Sequence, residues 1–388
     1  MVYDVIIAGA GPAGSVLAYL LTQHGLSVRV IEKAIIPRYK TCGGGLTFKT
    51  IQNLPFDVNP TYEVKAAGGI IAYAGCEMIR LELVRPIAWL IMRDQFDHYL
   101  VQQAVQAGAV FSDGLTVKGY ETGGAGIKVH TTKGSLKSYL LVGADGVNSV
   151  VSRSAGLLTH RKMGIAIEAE LVVPDSVLQE QGAYATFDFG ALAYGYGWIL
   201  PKRDHLSVGV YHARPGKAAN IKQDLQNYIK MNPALNENKP ISIRGHHIPL
   251  GGQKQRLKNG RVILVGDAAN LADSWLGEGL YYAIKSSNIA ANVIVEYFEN
   301  GLGGLDKYTD RINTQIVHQL AYARAIAMLV YRFPHFGTTL LQRSDLLQRA
   351  VLSVVRGDLN FQQLASTLIL GSPRILTQAL RQKRLTNT

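Results

Sequence analysis

Cys42 is a candidate functional residue, because its thiol could take part in chemistry. It precedes a run of glycines that includes Gly43 and Gly44. A backbone without side chains can pass close to a bound planar molecule. A thiol in such a loop can position a substrate, donate a proton or respond to redox state. The alternative is a small buried apolar filler, which is the commoner role of a free cysteine.

A second set of candidates lies in an aromatic segment. Tyr194, Tyr196 and Trp198 alternate along a predicted strand that ends at Pro201 and Lys202. Alternate residues of a strand share one face, so the three rings can form an apolar wall for a bound molecule. Aromatic residues on strands also fill the core of a sheet. Lys202 is either a cation for an acidic head group or a solvated strand end.

Glycines near the start of the chain indicate a dinucleotide site. An apolar strand ends at a G-x-G-x-x-G sequence formed by Gly9, Gly11 and Gly14, and a helix pattern follows over 13–24. Gly9 permits a tight turn, Gly11 lets backbone N–H groups approach a pyrophosphate, and Gly14 lets the helix pack closely. The next predicted strand ends at Glu32, which can accept hydrogen bonds from ribose hydroxyls. The predicted binding set also includes Ala13 and Lys33.

Two later strand ends carry related signals. The strand over 261–265 ends in a Gly-Asp turn, and a helix follows a Gly-Glu-Gly sequence at 277–279. A carboxylate at such a strand end can hold ribityl hydroxyls, and the helix N-terminus can face a pyrophosphate. The strand over 141–144 ends in another glycine-rich turn. The ligands predicted from these turns are Asp145, Gly266, Asp267, Gly277, Gly279 and Leu280.

These three elements, in this order, resemble the FAD-dependent oxidoreductases of the aromatic-hydroxylase type, and the resemblance implies FAD rather than NAD. Within that group, the segment P-R-Y-K-T-C-G-G-G-L at 37–46 is similar to a segment of geranylgeranyl reductases. The segment Y-G-W-I-L-P-K at 196–202 resembles their Y-x-W-x-F-P-K motif. The resemblance extends over nearly the whole chain.

The resemblance implies an FAD-dependent reductase that saturates C=C bonds of a geranylgeranyl or other polyprenyl chain by hydride transfer from reduced flavin. It implies catalytic roles for Cys42, Tyr196 and Trp198. The implied contacts to an isoprenoid or lipid substrate are Tyr194, Tyr196, Trp198, Pro201 and Lys202. The cofactor-binding residues that it adds are Arg38, Cys42, Gly43, Gly44 and Arg93. For Arg38 the partner is the FAD pyrophosphate or an acidic head group, and the alternative is a surface salt bridge.

The chain departs from the family pattern at three places. Ser274 stands where the family usually has proline, and Leu200 replaces the usual phenylalanine. An arginine is expected at the position of Ser152, but Arg153 follows one residue later. None of these changes removes FAD binding. The first two lie where the substrate or the isoalloxazine would pack, so they leave the identity of the substrate open.

The electron donor and the reaction type have alternatives. The sequence contains no second nucleotide fingerprint for NADPH, so the donor is NADPH bound transiently or a reduced ferredoxin. A flavin-dependent monooxygenase or halogenase is a rival, because the segment 196–201 also resembles the W-x-W-x-I-P motif of halogenases. Lys65 is then the candidate for the halogenase lysine. A third alternative is a non-catalytic flavoprotein that binds an isoprenoid or a quinone.

Composition limits the class of protein. An apolar fraction of 47% with 40 glycines is typical of an α/β enzyme. Two cysteines favour a reducing compartment over a disulfide scaffold. His246 and His247 are adjacent and point apart on a strand, so we predict no metal site. A net charge of +12 allows contact with an anionic membrane surface, although a solvated basic face is an equal alternative.

The chain begins directly on its first predicted strand, so we expect no signal or transit peptide. No apolar run is long enough to span a membrane, and no nucleic-acid-binding motif is present. The sequence therefore predicts a cytoplasmic protein that does not bind nucleic acid. A peripheral position on the cytoplasmic face of the membrane remains the alternative.

These residues require an α/β fold: a Rossmann-like FAD-binding domain, an inserted mixed β-sheet substrate domain and a C-terminal helical region. The predicted domains are 1–60, 90–160 and 255–300 for FAD, 61–89 and 161–254 for substrate, and 301–388 for the helices. The predicted substrate sheet consists of strands over 165–173, 184–189, 194–200 and 206–212. The predicted helices cover 92–107, 218–231, 305–330, 338–355, 361–370 and 373–384.

Overall fold

The computed structural model describes residues 1–82, 86–124, 126–157, 161–214, 220–236, 238, 240–301, 303–373, 375 and 378. The predicted α/β class is confirmed, because two large sheets and one small sheet are combined with packed helices. The domain limits stay a prediction. The segment 61–89 contributes to two sheets, because its first strand joins the small sheet and its next two join a large one.

The strands are β1 (Val2–Ala8), β2 (Val28–Ile31), β3 (Gly45–Thr47), β4 (Tyr62–Ala66), β5 (Gly68–Tyr73), β6 (Cys76–Glu82), β7 (Ala88–Ile91), β8 (Val110–Ser112), β9 (Val117–Gly123), β10 (Gly126–Thr131), β11 (Gly134–Gly143), β12 (Lys162–Leu171), β13 (Tyr184–Asp188), β14 (Gly195–Pro201), β15 (Leu206–His212), β16 (Pro240–Leu250), β17 (Lys258–Asn259) and β18 (Val262–Leu264). The helices are α1 (Pro12–Gln23), α2 (Phe48–Ile51), α3 (Arg93–Gln106), α4 (Val150–Ser154), α5 (Asp175–Gln181), α6 (Ile221–Met231), α7 (Pro233–Asn236), α8 (Leu280–Asn300), α9 (Gly303–Asp306), α10 (Tyr308–Ile312), α11 (His318–Arg332), α12 (Pro334–Gln342), α13 (Asp345–Arg356) and α14 (Phe361–Leu370).

The first sheet has β1 at its centre. Its order is β17-β18-β11-β1-β2-β8, with β10 and β9 attached beside β11. The strands β18, β11, β1, β2 and β8 run parallel. Parallel strands covered on both faces are apolar throughout, as the sequence V-Y-D-V-I-I-A of β1 nearly is. The carboxyl ends of β1, β2, β11 and β18 therefore meet at one edge, where the predicted glycine-rich turns follow.

The helices α1 and α8 pack against each other beside this edge. The Ser287 hydroxyl of α8 donates a hydrogen bond of 2.7 Å to the Ala13 carbonyl in the first turn of α1. A Cβ atom on Gly266, which has φ 58°, would lie 3.0 Å from the Cβ of Ala13. The beginnings of the two helices and the β18 turn are therefore in close contact.

The second sheet has two different faces. Its order is β16-β12-β15-β14-β13-β5-β6, with the predicted strands in the middle. Alternate residues such as Ile199 and Val208 form one apolar core with Leu225 and Tyr228 of α6. The intervening residues, which include Trp198, belong to the core shared with β1. This second face of the sheet therefore turns towards the glycine-rich edge of the first sheet.

The small sheet connects the two large ones. Its order is β3-β7-β4. Strand β3 begins at Gly45, so it continues directly from the cysteine–glycine segment, and β7 leads into α3. The Gly44 carbonyl accepts a hydrogen bond of 2.9 Å from the Ile91 amide. The cysteine–glycine segment is consequently fixed at its carboxyl end by the last residue of β7.

The C-terminal region is helical, but two of the predicted helices are divided. The predicted helix over 305–330 is divided into α9, α10, a π-helical segment at Asn313–Val317 and α11. Its apolar stripe is buried from Leu305 to Ala327 and half-buried at Val330. The prediction of one helix over 338–355 was wrong, because α12 ends at Gln342 and α13 starts at Asp345. The Ser344 hydroxyl caps α13 by accepting a hydrogen bond from the Leu347 amide, and so starts a new helix. Most of the predicted helix over 373–384 lies outside the described residues.

Two smaller differences concern the second sheet and membrane spanning. The predicted strand over 194–200 begins instead at Gly195, because Tyr194 has φ 55° and cannot continue a pleated strand. In the part of the chain that the structure describes, no helix combines the length and the apolarity needed to cross a membrane.

Candidate functional site

The first glycine-rich turn has the close contacts that its sequence requires. Gly9 has φ 104°, and a Cβ atom there would lie 2.3 Å from the Ala144 carbonyl oxygen. A Cβ atom on Gly14 would lie 1.9 Å from the Gly9 oxygen. A Cβ atom on Gly11 would meet nothing within 4 Å. Gly9 and Gly14 are therefore needed for packing, whereas Gly11 leaves space in front of the start of α1.

The first turns of α1 and α8 are open to a ligand. Gly11 is the N-cap of α1 and Gly279 is the N-cap of α8, and neither helix has a side-chain hydrogen bond at its N-cap or an acidic residue in its first turn. Helix N-termini carry unsatisfied N–H groups and partial positive charge. Two such ends beside one another are suited to a pyrophosphate. Leu280 is buried at the start of α8.

Glu32 is held rigidly at the end of β2. It is buried, and its Oε2 accepts a hydrogen bond of 2.9 Å from the Ala10 amide. Its Oε1 accepts one of 3.1 Å from the Ala34 amide. Each carboxylate oxygen can accept a further hydrogen bond. The predicted contact to ribose hydroxyls therefore stays available, while the neighbouring Lys33 is exposed.

Asp267 follows β18 and faces a cluster of cations. Burial raises its pKa, and Lys40, Arg93 and Arg161 are close enough to lower it. Its carboxylate makes no hydrogen bond to another residue in the described parts of the chain. A half-buried carboxylate without a donor favours a ligand with hydroxyl groups, such as the ribityl chain. The cations around it favour a ligand that also carries phosphates.

The same cations affect a histidine that the sequence did not assign to the site. The pKa of His246 is lowered to about 3, first by burial and then by Lys40 and Arg93. The pKa of Lys40 is lowered to about 8, first by burial and then by Arg93. Burial and this repulsion together show that positive charge is concentrated here, beside the carboxylates of Asp267 and Asp97. Lys40 lies in the quoted cysteine–glycine segment, but no local signal identified His246.

Arg93 and Arg38 share one buried carboxylate. Arg93 donates to Asp97 twice, from Nε at 2.8 Å and from Nη2 at 2.9 Å. Arg38 donates to the same carboxylate from Nη1 at 3.0 Å. Asp97 is fully buried, so this pairing differs from the surface salt bridge that was the alternative for Arg38. Contact of either guanidinium with FAD stays a prediction.

At the turn after β11, a guanidinium is supplied by a residue other than the arginine that the family pattern expects. The Asp145 carboxylate accepts hydrogen bonds from the Val150 and Val151 amides through Oδ2, and its buried Oδ1 has no partner among the described residues. Ser152 is buried, and its hydroxyl accepts a hydrogen bond of 2.8 Å from Nη2 of Arg161. Arg161, which lies nine residues after Ser152, therefore brings a guanidinium to this turn. Nothing in the sequence indicated this contact.

The cysteine–glycine segment contacts the aromatic strand β14. A Cβ atom on Gly43 would lie 2.8 Å from Cδ1 of Leu200 and 3.3 Å from Nε1 of Trp198. Gly44 has φ 72°, and its Cβ atom would lie 2.1 Å from the Ile91 carbonyl oxygen. The two motifs that resemble geranylgeranyl reductases are about 150 residues apart in sequence and meet in space. Glycines make this approach possible.

Lys202 stabilises this contact and is not a solvated strand end. Its side chain is buried, and Nζ donates hydrogen bonds of 2.9 Å to the Gly43 carbonyl and 2.8 Å to the Ile91 carbonyl. Burial lowers the pKa of the Lys202 ammonium by more than the nearby Glu170 carboxylate raises it. Of the two alternatives for Lys202, the solvated strand end is not found, because the ammonium binds backbone oxygens in the interior. Its contact with a substrate head group stays a prediction.

Of the three rings predicted to form an aromatic wall, two lie on β14 and the third precedes it. Tyr196 and Trp198 are buried on the face shared with the first sheet, and Pro201 is buried at its end. The indole Nε1 of Trp198 has no partner among the described residues. Tyr194 precedes β14 and is half-buried. Phe187 on β13 is also half-buried, with its ring 5.7 Å from that of Tyr196.

Three tyrosines hold the loop that precedes α8. Tyr196 donates to the Leu276 carbonyl at 2.5 Å, Tyr211 to the Ser274 carbonyl at 3.3 Å, and Tyr331 to the carbonyl of the residue between them. The buried Asp273 carboxylate accepts amide hydrogen bonds from within the same loop. The loop that contains Gly277 is therefore fixed by the second sheet and by the C-terminal helices together.

Cys42 is half-buried rather than a buried filler. Its Sγ accepts a hydrogen bond of 3.4 Å from the Gly44 amide. Its own amide donates one of 2.9 Å to Oε1 of Glu168 on β12. Arg93 is near enough for Cys42 to help raise the pKa of the guanidinium against the opposite effect of burial. Cys42 thus lies near the buried Glu168 carboxylate and the half-buried Arg93 guanidinium, neither of which is near it in sequence.

The residues present fit FAD. Two helix N-termini without side-chain caps, the cations around Asp267 and the unpartnered Oδ1 of Asp145 suit the phosphates and hydroxyls of a dinucleotide. The glycines of the cysteine–glycine segment expose backbone, and β14 places the Trp198 and Leu200 side chains against Gly43. The named FAD ligands remain predictions, and the geometry brings them to one edge of the first sheet.

Comparisons with known proteins agree with this geometry. Residues 2–320 match the FAD binding domain family. An uncharacterised protein of Methanosarcina barkeri is 33% identical over 329 residues, which are 85% of this chain and 84% of that protein. Digeranylgeranylglycerophospholipid reductase 2 of Methanopyrus kandleri is 25% identical over 405 residues, covering 98% of this chain and 99% of the relative.

A solved structure shows the same fold. The geranylgeranyl bacteriochlorophyll reductase-like protein of Thermoplasma acidophilum superposes with a TM-score of 0.78 at 22% identity, covering 97% of this chain and 98% of that one. The mixed sheets and the C-terminal helices are therefore all part of a known flavoprotein architecture. The chain belongs to the FAD binding domain family and is an FAD-dependent oxidoreductase of the geranylgeranyl-reductase-like type.

Proposed function

We propose that the protein uses reduced FAD to saturate C=C bonds of a geranylgeranyl or related polyprenyl chain. The contact between Gly43 and the side chains of Trp198 and Leu200 is the observation that carries this proposal. It joins the two sequence segments that distinguish geranylgeranyl reductases from other flavoproteins. The naming of a full-length relative as a digeranylgeranylglycerophospholipid reductase supports the same substrate class.

In the proposed reaction, the cofactor and the protein have different chemical roles. When bound, reduced FAD supplies a hydride. The protein must hold an alkene that has no hydrogen-bonding group, exclude water and supply a proton. Trp198 and Leu200 offer apolar surface beside the cysteine–glycine segment, and Tyr196 fixes the adjoining loop. In this proposal Cys42, Tyr196 and Trp198 surround the reacting bond.

The proposed site predicts substrate contacts at the end of β14. Trp198 and half-buried Tyr194 would lie along the polyprenyl chain, with Pro201 at its far end. Lys202 would act on the substrate indirectly, because its ammonium already binds the Gly43 and Ile91 carbonyls. An acidic head group would then be bound by other cations, of which half-buried Lys40 is the nearest in sequence to Cys42.

The electron donor belongs to the proposal as well. We propose NADPH bound transiently, or a reduced ferredoxin, as the source of electrons. The net charge of +12 supports an acidic protein donor, because opposite charges accelerate encounter. The rate of flavin reduction by NADPH and by reduced ferredoxin, compared at low and high salt, tests this point. Salt would slow a ferredoxin reaction more than a reaction with NADPH.

Mass spectrometry of candidate substrates tests the function. The protein is reduced with dithionite without air and incubated with geranylgeranyl diphosphate or with digeranylgeranylglycerophospholipid. Products heavier by pairs of hydrogens establish the reductase and count the bonds saturated. Unchanged masses for both substrates, with flavin still reduced, contradict the proposal for these substrates.

The same reduced protein separates the rival functions. Rapid formation of an oxygen adduct on exposure to air, with an oxygenated or halogenated product, favours a monooxygenase or halogenase. Lys65, the candidate halogenase lysine, is exposed on β4, which belongs to the small sheet. Tight binding of an isoprenoid or a quinone without any turnover would favour the non-catalytic flavoprotein.

We also propose that the protein is cytoplasmic and makes peripheral contact with a membrane. Met328, Leu329, Phe333 and Phe336, at the junction of α11 and α12, are each more than half exposed. Arg332 lies among them in sequence, and apolar side chains next to a cation suit an anionic lipid surface. Sedimentation with anionic vesicles should decrease for Leu329→Ser/Phe333→Ser. It should be unchanged for Ile241→Ser, an equally exposed apolar residue on β16.

A further inference from the structure

Two buried glutamates lie on the face of the second sheet that turns towards the first. Glu168 and Glu170 alternate on β12 and are 1% and 5% exposed. The Tyr39 hydroxyl lies 2.7 Å from Oε1 of Glu168 and 3.0 Å from Oε1 of Glu170. Oε2 of Glu168 is buried and has no partner among the described residues. Buried carboxylates are costly, so this pair requires an explanation.

Counting hydrogens indicates that one of these acids carries a proton. Tyr39 has a single hydroxyl hydrogen, but its oxygen lies within hydrogen-bond distance of two carboxyl groups. The second contact is favourable only if a carboxyl supplies the hydrogen. Glu170 is balanced by His205, whose Nε2 lies 3.2 Å from Oε2 of Glu170. In the part of the chain that the structure describes, Glu168 has no such ion pair and is therefore the acid that holds the proton.

The cluster reaches solvent at its other end. Nδ1 of His205 lies 2.6 Å from Oδ1 of Asp204, whose side chain is 85% exposed. The polar groups thus follow one another from Asp204 through His205, Glu170 and Tyr39 to Glu168. Nε2 of His205 and Oε2 of Glu170 lie 3.2 Å apart without hydrogen-bond geometry, so a rotation of the His205 ring completes the series for proton transfer.

The inner end of the series lies beside the proposed reaction site. Glu168 accepts the amide hydrogen of Cys42 at 2.9 Å. In the sheet, Glu168 is directly opposite Gly209, and Gly209 is directly opposite Trp198. Residues opposite one another in a sheet share a face, and Gly209 has no side chain to separate the other two. Glu168, Trp198 and Cys42 therefore border the same space.

We infer that Glu168 is the proton donor of the alkene reduction, supplied from solvent through His205, Glu170 and Tyr39. This inference rests on the proposed function. The C=C π bond breaks, one carbon forms a C–H bond with the hydride, and the other forms a C–H bond with the Glu168 proton. Glu168 is left as a carboxylate. Tyr39 then passes its proton to the Glu168 carboxylate, and the proton of the His205 imidazolium reaches Tyr39 through the Glu170 carboxylate. Solvent then protonates His205 again.

The charges around Glu168 agree with this role. Burial raises the pKa of Glu168 to about 7, and Glu170 contributes in the same direction. The Tyr39 hydroxyl, the Cys42 amide and the Lys202 ammonium oppose this increase. On β16, Arg244 is paired with Glu168 in the sheet, and its guanidinium lies 5.1 Å from the Tyr39 ring centre. An acid with this pKa can both hold and release a proton near neutral pH.

Infrared titration of the protein without cofactor tests the proton assignment independently of activity. We expect a protonated carboxyl band that titrates near neutral pH in the unaltered protein. It should also be present in Glu77→Gln, a control on an exposed acid. In Glu168→Gln, which keeps an oxygen for the Cys42 amide, the band should lose the component that titrates near pH 7, while buried Asp273, whose pKa is raised to about 6, still contributes. An unchanged band in Glu168→Gln would overturn the assignment.

Single-turnover kinetics test the donor role. In Glu168→Gln, substrate should reoxidise the reduced flavin at least about 100-fold more slowly, as expected for loss of a general acid. Flavin content and the rate of reduction by dithionite should not change. Tyr39→Phe retains Glu168 and should slow later turnovers more than the first. An unchanged first-turnover rate in Glu168→Gln would overturn the donor role.

These experiments also separate the inference from the function on which it rests. If the unaltered protein reduces no isoprenoid, the proposed function fails, while the infrared band still decides where the proton lies. If the unaltered protein reduces the substrate and Glu168→Gln does so equally fast, only the donor assignment fails. Glu168→Asp provides a second variant, in which partial recovery of the first-turnover rate supports a proton donor.

Discussion

The indole of Trp198 lies over the backbone of Gly209. The two residues are directly opposite each other on β14 and β15, and a Cβ atom on Gly209 would lie 2.1 Å from Cζ2 of Trp198. The ring can therefore occupy this position only because residue 209 has no side chain. This relationship places the aromatic motif against the strand that also borders Glu168.

Gly209→Ala should displace the Trp198 indole. Overpacking of this kind costs about 1–3 kcal/mol of unfolding free energy. We expect a further loss of polyprenyl binding beyond the loss of stability, measured as KM and by denaturant unfolding. Gly69→Ala is the matched control, because its Cβ atom would meet nothing closer than 3.6 Å. Equal effects of the two substitutions on KM would contradict the role of the ring position.

Gly11→Ala and Gly14→Ala should separate cofactor binding from folding. A Cβ atom on Gly11 meets nothing within 4 Å, so the protein without cofactor should keep its stability and lose FAD affinity. A Cβ atom on Gly14 would lie 1.9 Å from the Gly9 oxygen, so this variant should lose stability itself. Thermal unfolding and flavin absorbance measure the two effects. Normal FAD content in Gly11→Ala would contradict the proposed approach of the pyrophosphate.

Lys202→Met should act through structure and not through a substrate charge. The variant leaves the Gly43 and Ile91 carbonyls without their donor, which costs about 1–3 kcal/mol. The expected result is lower unfolding free energy together with faster alkylation of Cys42 by iodoacetamide. An increase in KM for a substrate with an acidic head group, at unchanged stability, would restore the head-group interpretation.

Tyr196→Phe should loosen the loop that precedes α8. The variant removes the hydrogen bond of 2.5 Å to the Leu276 carbonyl but keeps the ring. We expect a loss of about 1 kcal/mol and weaker FAD binding, measured by unfolding and by flavin titration. Tyr211→Phe removes a longer contact of 3.3 Å to the same loop and should have the smaller effect. A larger effect of Tyr211→Phe than of Tyr196→Phe would show that Tyr211 is the main residue holding this loop.

The stability of the protein without cofactor should fall as pH rises through the weakly acidic range. Burial raises the pKa of Glu168 from 4.5 to about 7, so the folded chain binds this proton more tightly than the unfolded chain. The free energy of unfolding therefore decreases between these two pKa values. Asp273, with its pKa raised to about 6 by burial, acts in the same direction.

Denaturant unfolding at several pH values measures this decrease. Glu168→Gln removes the contribution of one acid, so its stability should fall less than that of the unaltered protein between about pH 5 and pH 7. Glu77→Gln should follow the unaltered protein, because Glu77 is exposed. If the free energy of unfolding falls equally with pH in Glu168→Gln and in the unaltered protein, the pKa of Glu168 is the same in the folded and unfolded chains.

Much of the local structure was predictable from spacing. Gly9, Gly11 and Gly14 indicated a turn followed by a helix, and α1 begins at Pro12. The alternation of apolar residues predicted the strand Leu206–His212 with its observed limits. The end of a long helix was less predictable, because a single capping residue, Ser344, divides one apolar stripe into two helices.

The sequence by itself determined the kind of cofactor and the positions of its glycine-rich turns, because these depend on backbone conformation within a few residues. Only the tertiary structure decided what surrounds Cys42. Glu168 reaches its amide across 126 residues of chain, and Lys202 reaches the Gly43 carbonyl across 159. Such contacts depend on how two sheets are placed against each other. Burial, which sets both the protonation of Glu168 and the role of Lys202, arises only from that placement.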